Sequence, residues 1–206
     1  MERHLDHRSA HWFASLFAVH DVDALTRLDT PWWSYGAIDV VAAWLDRRVE
    51  TRVFEYGAGA STVWLARRAT HVDSVEHDPA FAAVVAGIVP DNTEIHVVEP
   101  TFPDGLVRAR SRRRGSRHLD FGDYVETIRD APGPFDLVAI DGRARVACLE
   151  EALRHLRPGG LIVLDNAGRR EYRHALRRLP VTAAFHRGPT PSLPYLNTTA
   201  IVEALP

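Results

Sequence analysis

Val53-Phe54-Glu55-Tyr56-Gly57-Ala58-Gly59-Ala60-Ser61-Thr62 runs from an apolar strand through a glycine-rich turn into a helix whose apolar residues begin at Val63, Trp64 and Leu65. A strand that ends this way is a ligand-binding turn. Glycine reaches backbone conformations that side chains forbid, and its missing Cβ lets a ligand approach the main chain. At the helix N-terminus the hydroxyls of Ser61 and Thr62, with the free N–H groups, can hold a carboxylate. A dinucleotide turn asks for Gly or Ala three positions after its second glycine, for close packing beneath a pyrophosphate. That position here is Thr62. Glu55 also places a carboxylate at the strand end, which suits a cationic ligand better than a diphosphate. Glu76 closes the next apolar run in Val75-Glu76-His77-Asp78, where a carboxylate can accept from both ribose hydroxyls. That device serves nucleosides generally. His77 and Asp78 read as turn residues before a helix from Pro79, with an adenine contact as the other role for His77.

Outward from this turn the chain alternates short apolar runs with helical spacing. Strands are expected at Arg52 to Tyr56, His71 to Glu76, Glu94 to Val98, Phe135 to Ile140 and Leu161 to Leu164, the alternation of a buried parallel sheet. Pro158-Gly159-Gly160 should break a helix from Val146 to Leu156 just before the fifth strand. Downstream come a helix at Arg170 to Leu179 and two extended stretches, Val181 to His186 and Thr198 to Glu203, a candidate antiparallel edge pair with a proline-rich loop between them. Upstream, His11 to Leu28 reads as one or two amphipathic helices, with Trp12, Phe13, Leu16, Phe17 and Val19 on the apolar stripe. Pro31 interrupts it, and Ile38 to Val49 resumes the helical spacing. The expected organisation is a helical extension or lid over residues 1–50 and a cofactor-binding core over 51–206, one domain overall.

The 206 residues, 46% apolar, fit one well-packed domain. A single cysteine, Cys148, excludes an internal disulfide framework and a thiolate zinc cluster. A formal charge of −2 gives no global reason for nucleic acid or membrane binding. No apolar stretch reaches membrane-spanning length, so a cytoplasmic chain is expected. All 25 Lys and Arg positions are arginine, which excludes a lysine base or Schiff-base lysine. Arg108 to Arg117 holds six arginines in ten residues. It reads as a solvated loop or as a binder of phosphate or acidic substrates.

Phe135-Asp136-Leu137-Val138-Ala139-Ile140-Asp141-Gly142-Arg143 and Leu161-Ile162-Val163-Leu164-Asp165-Asn166 each end a strand on an acid. Ligands of open α/β sheets bind at that edge. Asp141, Asp165 and Asn166 could therefore meet beside the cofactor, and three hard oxygen donors suit Mg²⁺, or Mn²⁺ and Ca²⁺. The plainer alternatives are a capped turn at Asp165-Asn166 and a cofactor or backbone contact for Asp141.

The first constellation resembles the opening motifs of class I S-adenosylmethionine-dependent methyltransferases. The resemblance implies an α/β, Rossmann-like seven-stranded fold, mostly parallel with an antiparallel edge strand and helices on both faces. It implies Glu55 near the amino end of the cofactor, Gly57 and Gly59 as the turn, Ser61 and Thr62 beside it, and Glu76 on the ribose. Phe135 to Asn166 resembles metal-dependent catechol and caffeoyl-CoA type O-methyltransferases, which hold a divalent ion with an acid at the fourth strand and an Asp-Asn pair after the fifth. The chain as a whole is nearer to bacterial methyltransferase-like proteins of uncertain substrate. It shares with them Pro31-Trp32-Trp33-Ser34-Tyr35, Phe54-Glu55-Tyr56-Gly57, Ser74-Val75-Glu76-His77-Asp78, Asp141-Gly142-Arg143-Ala144-Arg145 and Asp165-Asn166.

There is one departure. The catechol type carries a lysine base after the first metal-binding acid, whereas this chain has Arg143, Ala144 and Arg145, and arginine is a poor base. A metal-lowered hydroxyl pKa or a histidine such as His118 or His174 would have to serve. The candidate catalytic set is thus Asp141, His118 and Arg143. Arg143 and Arg145 are candidates for an acidic substrate group or for salt bridges to Glu150 or Glu151. Tyr35, with Trp32 and Trp33, is either an aromatic lid on the cofactor or part of the core, and Tyr124 is a candidate for the pocket lining. The expected reaction is methyl transfer to a small-molecule acceptor, first at a hydroxyl oxygen, with or without a divalent ion. The one protein partner expected is a second copy of the chain, in a homodimer. The competing readings are a non-methylating use of the sulfonium, a non-catalytic cofactor-binding protein, and a nicotinamide oxidoreductase, against which Thr62 argues.

Overall fold

The computed structural model describes residues 2–17 and 22–205. The apolar runs become strands β1 (Arg52–Tyr56), β2 (His71–Glu76), β3 (Thr93–Val97), β4 (Phe135–Ile140), β5 (Leu156–Leu164), β6 (Val181–Thr190) and β7 (Leu193–Ala204). Helices α1 (Glu2–Ser15), α2 (Val22–Arg27) and α3 (Tyr35–Leu45) precede the sheet, and α4 (Ala60–Ala66), α5 (Pro79–Ala86), α6 (Gly122–Glu126), α7 (Arg145–His155) and α8 (Arg170–Arg178) connect its strands. The sheet order is β3-β2-β1-β4-β5-β7-β6. Strands β1 to β5 run parallel, and β7 lies antiparallel between β5 and β6. This is the expected mostly parallel sheet with its antiparallel hairpin at the edge.

Both faces are covered because alternate residues of a strand point to opposite sides. Val53, Val72, Leu137, Ala139 and Val163 pack under Ala37, Val41 and Leu45 of α3 and Trp64 and Leu65 of α4. Phe54, Tyr56, Val138, Ile140 and Ile162 pack against α6, α7 and α8 through Tyr124, Leu149 and Leu176. Trp33 is fully buried and meets Trp64 edge-on, with ring centroids 5.8 Å apart, so it is a core aromatic. Trp32 packs in the small cluster around α2.

Several boundaries differ from the sequence reading, among them α3, which runs Tyr35–Leu45 in place of Ile38 to Val49. The first helix begins within the polar N-terminus, at Glu2, and Val19 lies outside the described residues. Strand β5 starts at Leu156, which pairs with Phe135 before the ladder resumes at Leu137 and Leu161. Pro158-Gly159-Gly160 bulges out between these pairs, with Gly159 at φ 75°, and so interrupts the strand without delaying it. The proline-rich loop shrinks to a tight turn because β6 and β7 stay paired out to Thr190 and Leu193. An edge strand tolerates Pro189 where a central one would not. Among the described residues no helix is long and apolar enough to cross a membrane.

Candidate functional site

Parallel register brings the acids to one edge. Glu55 lies level with Ser74 on one side and Ala139 on the other, and Ala139 is level with Val163. Asp141 and Asp165, each two residues further on, therefore project beyond Glu55 on the same face of the sheet. Glu76 ends β2 beside them.

Glu55 is completely buried. Its Oε1 accepts from Ser61 Oγ at 2.5 Å, and its Oε2 accepts from Thr62 Oγ1 at 2.5 Å and Ser74 Oγ at 2.8 Å. The carboxylate thus ties the start of α4 to β1 and β2. The hydroxyls expected to hold a ligand carboxylate hold this one, and Glu55 sits beneath the turn. Thr62 Oγ1 also accepts from the Gly59 N–H at 2.8 Å.

Gly57 has φ 99°, and a Cβ there would lie 2.6 Å from Gly142 Cα. Gly59 is different. Its φ of 170° is ordinary extended backbone, and a Cβ would meet nothing within 4 Å, so its missing side chain leaves open space above the turn.

Burial pushes the Glu55 carboxyl up to about 7 against its three hydroxyl donors. The folded value stands above the ordinary 4.5, so folding favours the protonated form. This contribution is complete below about 4.5 and is lost as pH rises through about 7, a swing on the order of 3 kcal/mol. Urea denaturation at pH 5 and pH 8 should therefore show Glu55→Gln gaining on wild type as pH rises. Parallel profiles would mean that Glu55 titrates in its ordinary range.

Glu76 is buried, and its Oε1 accepts from the backbone N–H groups of His77 at 2.8 Å and Asp78 at 2.9 Å. Among the described residues nothing donates to its Oε2. The turn is held by Asp78, whose side chain caps α5 by accepting from the Ala80 and Phe81 N–H groups at 3.0 and 3.2 Å, with Pro79 at the first helical position. The Nδ1 of His77 lies against Glu76 Oε1, and its Nε2 accepts from Arg143 Nε at 3.0 Å. Beside them Tyr124 is fully buried. It fills the space where Gly142 lacks a side chain.

At the other two acids the chain supplies its own cation. Arg145 donates from Nη2 to Asp141 Oδ1 at 2.6 Å and to the Asp141 carbonyl at 2.5 Å, from Nη1 to the Asp165 carbonyl at 2.7 Å, and from Nε to the Gly142 carbonyl at 3.0 Å. Its Nη1 also lies 3.6 Å from Asp165 Oδ2. Asp165 Oδ1 accepts from Asn197 Nδ2 at 3.0 Å and Thr199 Oγ1 at 2.9 Å, both on β7. Asn166 presents its amide nitrogen to Asp165 Oδ2 and turns its oxygen to Arg169 at 2.9 Å. Burial raises both aspartic acids, with Asp141 adding to the rise at Asp165. Arg145 is raised by these acids despite its own burial.

This donor set does not fit the divalent ion expected at Asp141, Asp165 and Asn166. A guanidinium already lies between the carboxylates, and the amide oxygen faces elsewhere. Arg145 pairs with neither Glu150 nor Glu151, and Glu151 instead takes Arg129, Arg154 and His155.

Two candidates stand apart. His118 is exposed and stacks on Phe102, 5.6 Å between centroids, with no hydrogen bond to the strand-end acids. Tyr35, at the start of α3, hydrogen bonds His11 Nδ1 at 2.7 Å, and burial pushes its hydroxyl up to about 12. Arg145 as internal counter-ion, and Asn197 and Thr199 as donors to Asp165, went unread in the sequence. The four-residue spacing from Asp141 was the available signal for the first.

A methyltransferase domain model matches residues 54–167, more than half of the chain. The chain belongs to that family, and with this fold it is a class I S-adenosylmethionine-dependent methyltransferase. Among solved structures it is similar to cofactor-bound Rv0187 from MTB, at 23% identity and TM-score 0.62, covering 89% of this chain and 87% of that one. An rRNA methylase from Streptococcus thermophilus is 15% identical, with TM-score 0.55 and coverage of 82% and 96%. A Streptococcus mutans protein in complex with SAH is 11% identical, with TM-score 0.52 and coverage of 80% and 96%. These likenesses are of fold. No curated protein matches the chain in sequence.

Proposed function

We propose that the protein methylates an oxygen of a small molecule, using S-adenosylmethionine and no divalent ion. The observation that carries the cofactor half is the free Oε2 of Glu76, set beside the open turn over Gly59. In this reading Glu76 accepts from the ribose hydroxyls, with His77 beside it, and the Gly57 to Gly59 backbone passes the amino-acid end of the cofactor. Glu55, with Ser61 and Thr62, fixes that backbone from below. The bound cofactor supplies an electrophilic methyl on a sulfonium. The protein's part is to align the acceptor oxygen in line with it.

Asp141 stands where the reacting groups would meet, and its raised carboxyl suits it to take the acceptor's proton. Arg145 replaces the ion of the metal-dependent relatives as the fixed positive charge at the strand ends. Isothermal titration with SAH, followed by an acceptor screen in EDTA and in Mg²⁺, tests the reading. Expected are SAH binding, weakened by at least about tenfold in Glu76→Ala, and methylation that survives EDTA. Absence of SAH binding would refute the cofactor assignment, and activity abolished by EDTA would refute the metal-free form.

A further inference from the structure

We propose that the arginine-lined groove beside Arg143 seats an acceptor that carries at least two anionic groups, phosphate or carboxylate, with Arg113 and Arg143 as the innermost clamp. This rests on the methyl-transfer reading and adds the substrate class to it.

The groove, about 1350 Å³, lies between the stretch from Arg108 to Arg113, the turn after β4, and helices α7 and α8. Ten of its lining residues are arginine, against two acids, Glu150 and Glu171. Some of this charge is balanced. Arg108 holds Asp120 and Asp123, Arg112 holds Glu171 at 2.8 Å, and Arg145 holds the strand-end acids. Among the described residues Arg110, Arg113, Arg170, Arg177 and Arg178 form no ion pair. Arg143 is half-buried, and among the described residues its one side-chain hydrogen bond is donated to His77 Nε2. Burial and the facing charge of Arg113 hold its guanidinium below the ordinary range.

Arg113 and Arg143 both line the groove and repel each other, and an anion placed there removes the repulsion. Arginine forks match phosphate and carboxylate oxygens in pairs. Arg170 and the pair Arg177 and Arg178 stand at opposite ends of α8, about 10 Å apart along the helix, a span that one small anion does not bridge, which is why the ligand carries a second charge. The chain's net charge is −2, so the positive field is concentrated in this groove. The inner end opens at Gly142, on the turn that carries Asp141. Tyr172 is buried and His174 is the one exposed ring among the described lining residues, so the walls offer no run of rings on which successive bases could stack. A small polyanion fits this lining better than a nucleic acid strand.

The test is isothermal titration of the full chain with inorganic pyrophosphate and with tricarballylate, two probes that separate phosphate from carboxylate preference. Wild type should bind at least one of them. That affinity should fall by about tenfold or more in Arg113→Gln and in Arg143→Gln and by less than about twofold in Arg47→Gln, an exposed position at the end of α3. Thermal denaturation of each variant reports that the fold is kept. The proposal fails if wild type binds neither probe, if both groove variants bind as wild type does, or if a single-stranded oligonucleotide binds at least tenfold tighter than both probes. Loss of SAH binding by wild type would refute the methyltransferase reading separately, since the probe titrations need no cofactor.

Discussion

Replacing Arg145 with methionine is expected to destabilise the protein by about 3–5 kcal/mol, the loss typical of a buried ion pair robbed of one partner. The guanidinium touches Asp141, Asp165 and the Gly142 carbonyl at once. Methionine fills similar volume but leaves the Asp141 carboxylate and three carbonyl oxygens without their donor, and Asp165 without its counter-ion. The penalty should depend on pH in a definite direction. Asp141 and Asp165 already titrate above the ordinary aspartate range in the folded protein, and loss of the cation raises them further. Their ionised forms then oppose folding, so the penalty should be greatest at pH 8 and shrink as pH falls toward about 4, the unfolded aspartate range.

Urea denaturation of wild type and Arg145→Met at pH 5 and pH 8 measures this. Equal penalties at the two pH values would mean that the acids do not depend on Arg145. Mg²⁺ supplies an independent check. It should stabilise the methionine variant, where the cation position is vacated, and leave wild type unchanged. Stabilisation of wild type but not the variant would restore the metal site that the sequence resemblance implied.

Much of this site was legible because strand ends are local signals. Glu55, Glu76, Asp141 and Asp165 each follow an apolar run, and period-two alternation with parallel pairing is enough to place them at one edge. Their partners come from far along the chain. Ser74 reaches Glu55 only through the β1–β2 register, and Thr199 reaches Asp165 across 34 residues through β7. No spacing rule announces such contacts. The metal reading does not fit this arrangement of side chains for a related reason. Asp141, Asp165 and Asn166 have the right chemistry in sequence, but a left-handed Ala144, φ 47°, starts α7 so that Arg145 points back between them. Strain of that kind, costly for a residue with a Cβ, cannot be read from Arg143-Ala144-Arg145. The edge hairpin was cut short because Pro189 and Pro194 look like loop residues, and only the edge position of β6 makes Pro189 tolerable.

Gly57→Val should unfold or severely weaken the protein, by at least about 3 kcal/mol, and abolish SAH binding. Gly59→Ala should keep the fold within about 1 kcal/mol of wild type and still lose cofactor affinity. The contrast follows from what surrounds each residue. At Gly57 the backbone is at φ 99°, and a Cβ would lie 2.6 and 2.7 Å from the Cα and N of Gly142. That neighbour cannot retreat easily, because the N–H groups of Asp141 and Gly142 both donate to the Tyr56 carbonyl, at 3.0 and 2.7 Å, and hold β4 against β1. Valine there must open the central strand pair or break the turn. At Gly59 the backbone is extended and a Cβ meets nothing within 4 Å, so a methyl group costs the fold little and intrudes only on what passes above the turn. Thermal denaturation paired with SAH titration separates the two effects. A stable Gly59→Ala protein that binds SAH as tightly as wild type would mean that the cofactor does not run along this turn. Its role would then be confined to packing β1 against β4 at Gly57, and Glu76 would lose the neighbour that makes its free oxygen a ribose acceptor.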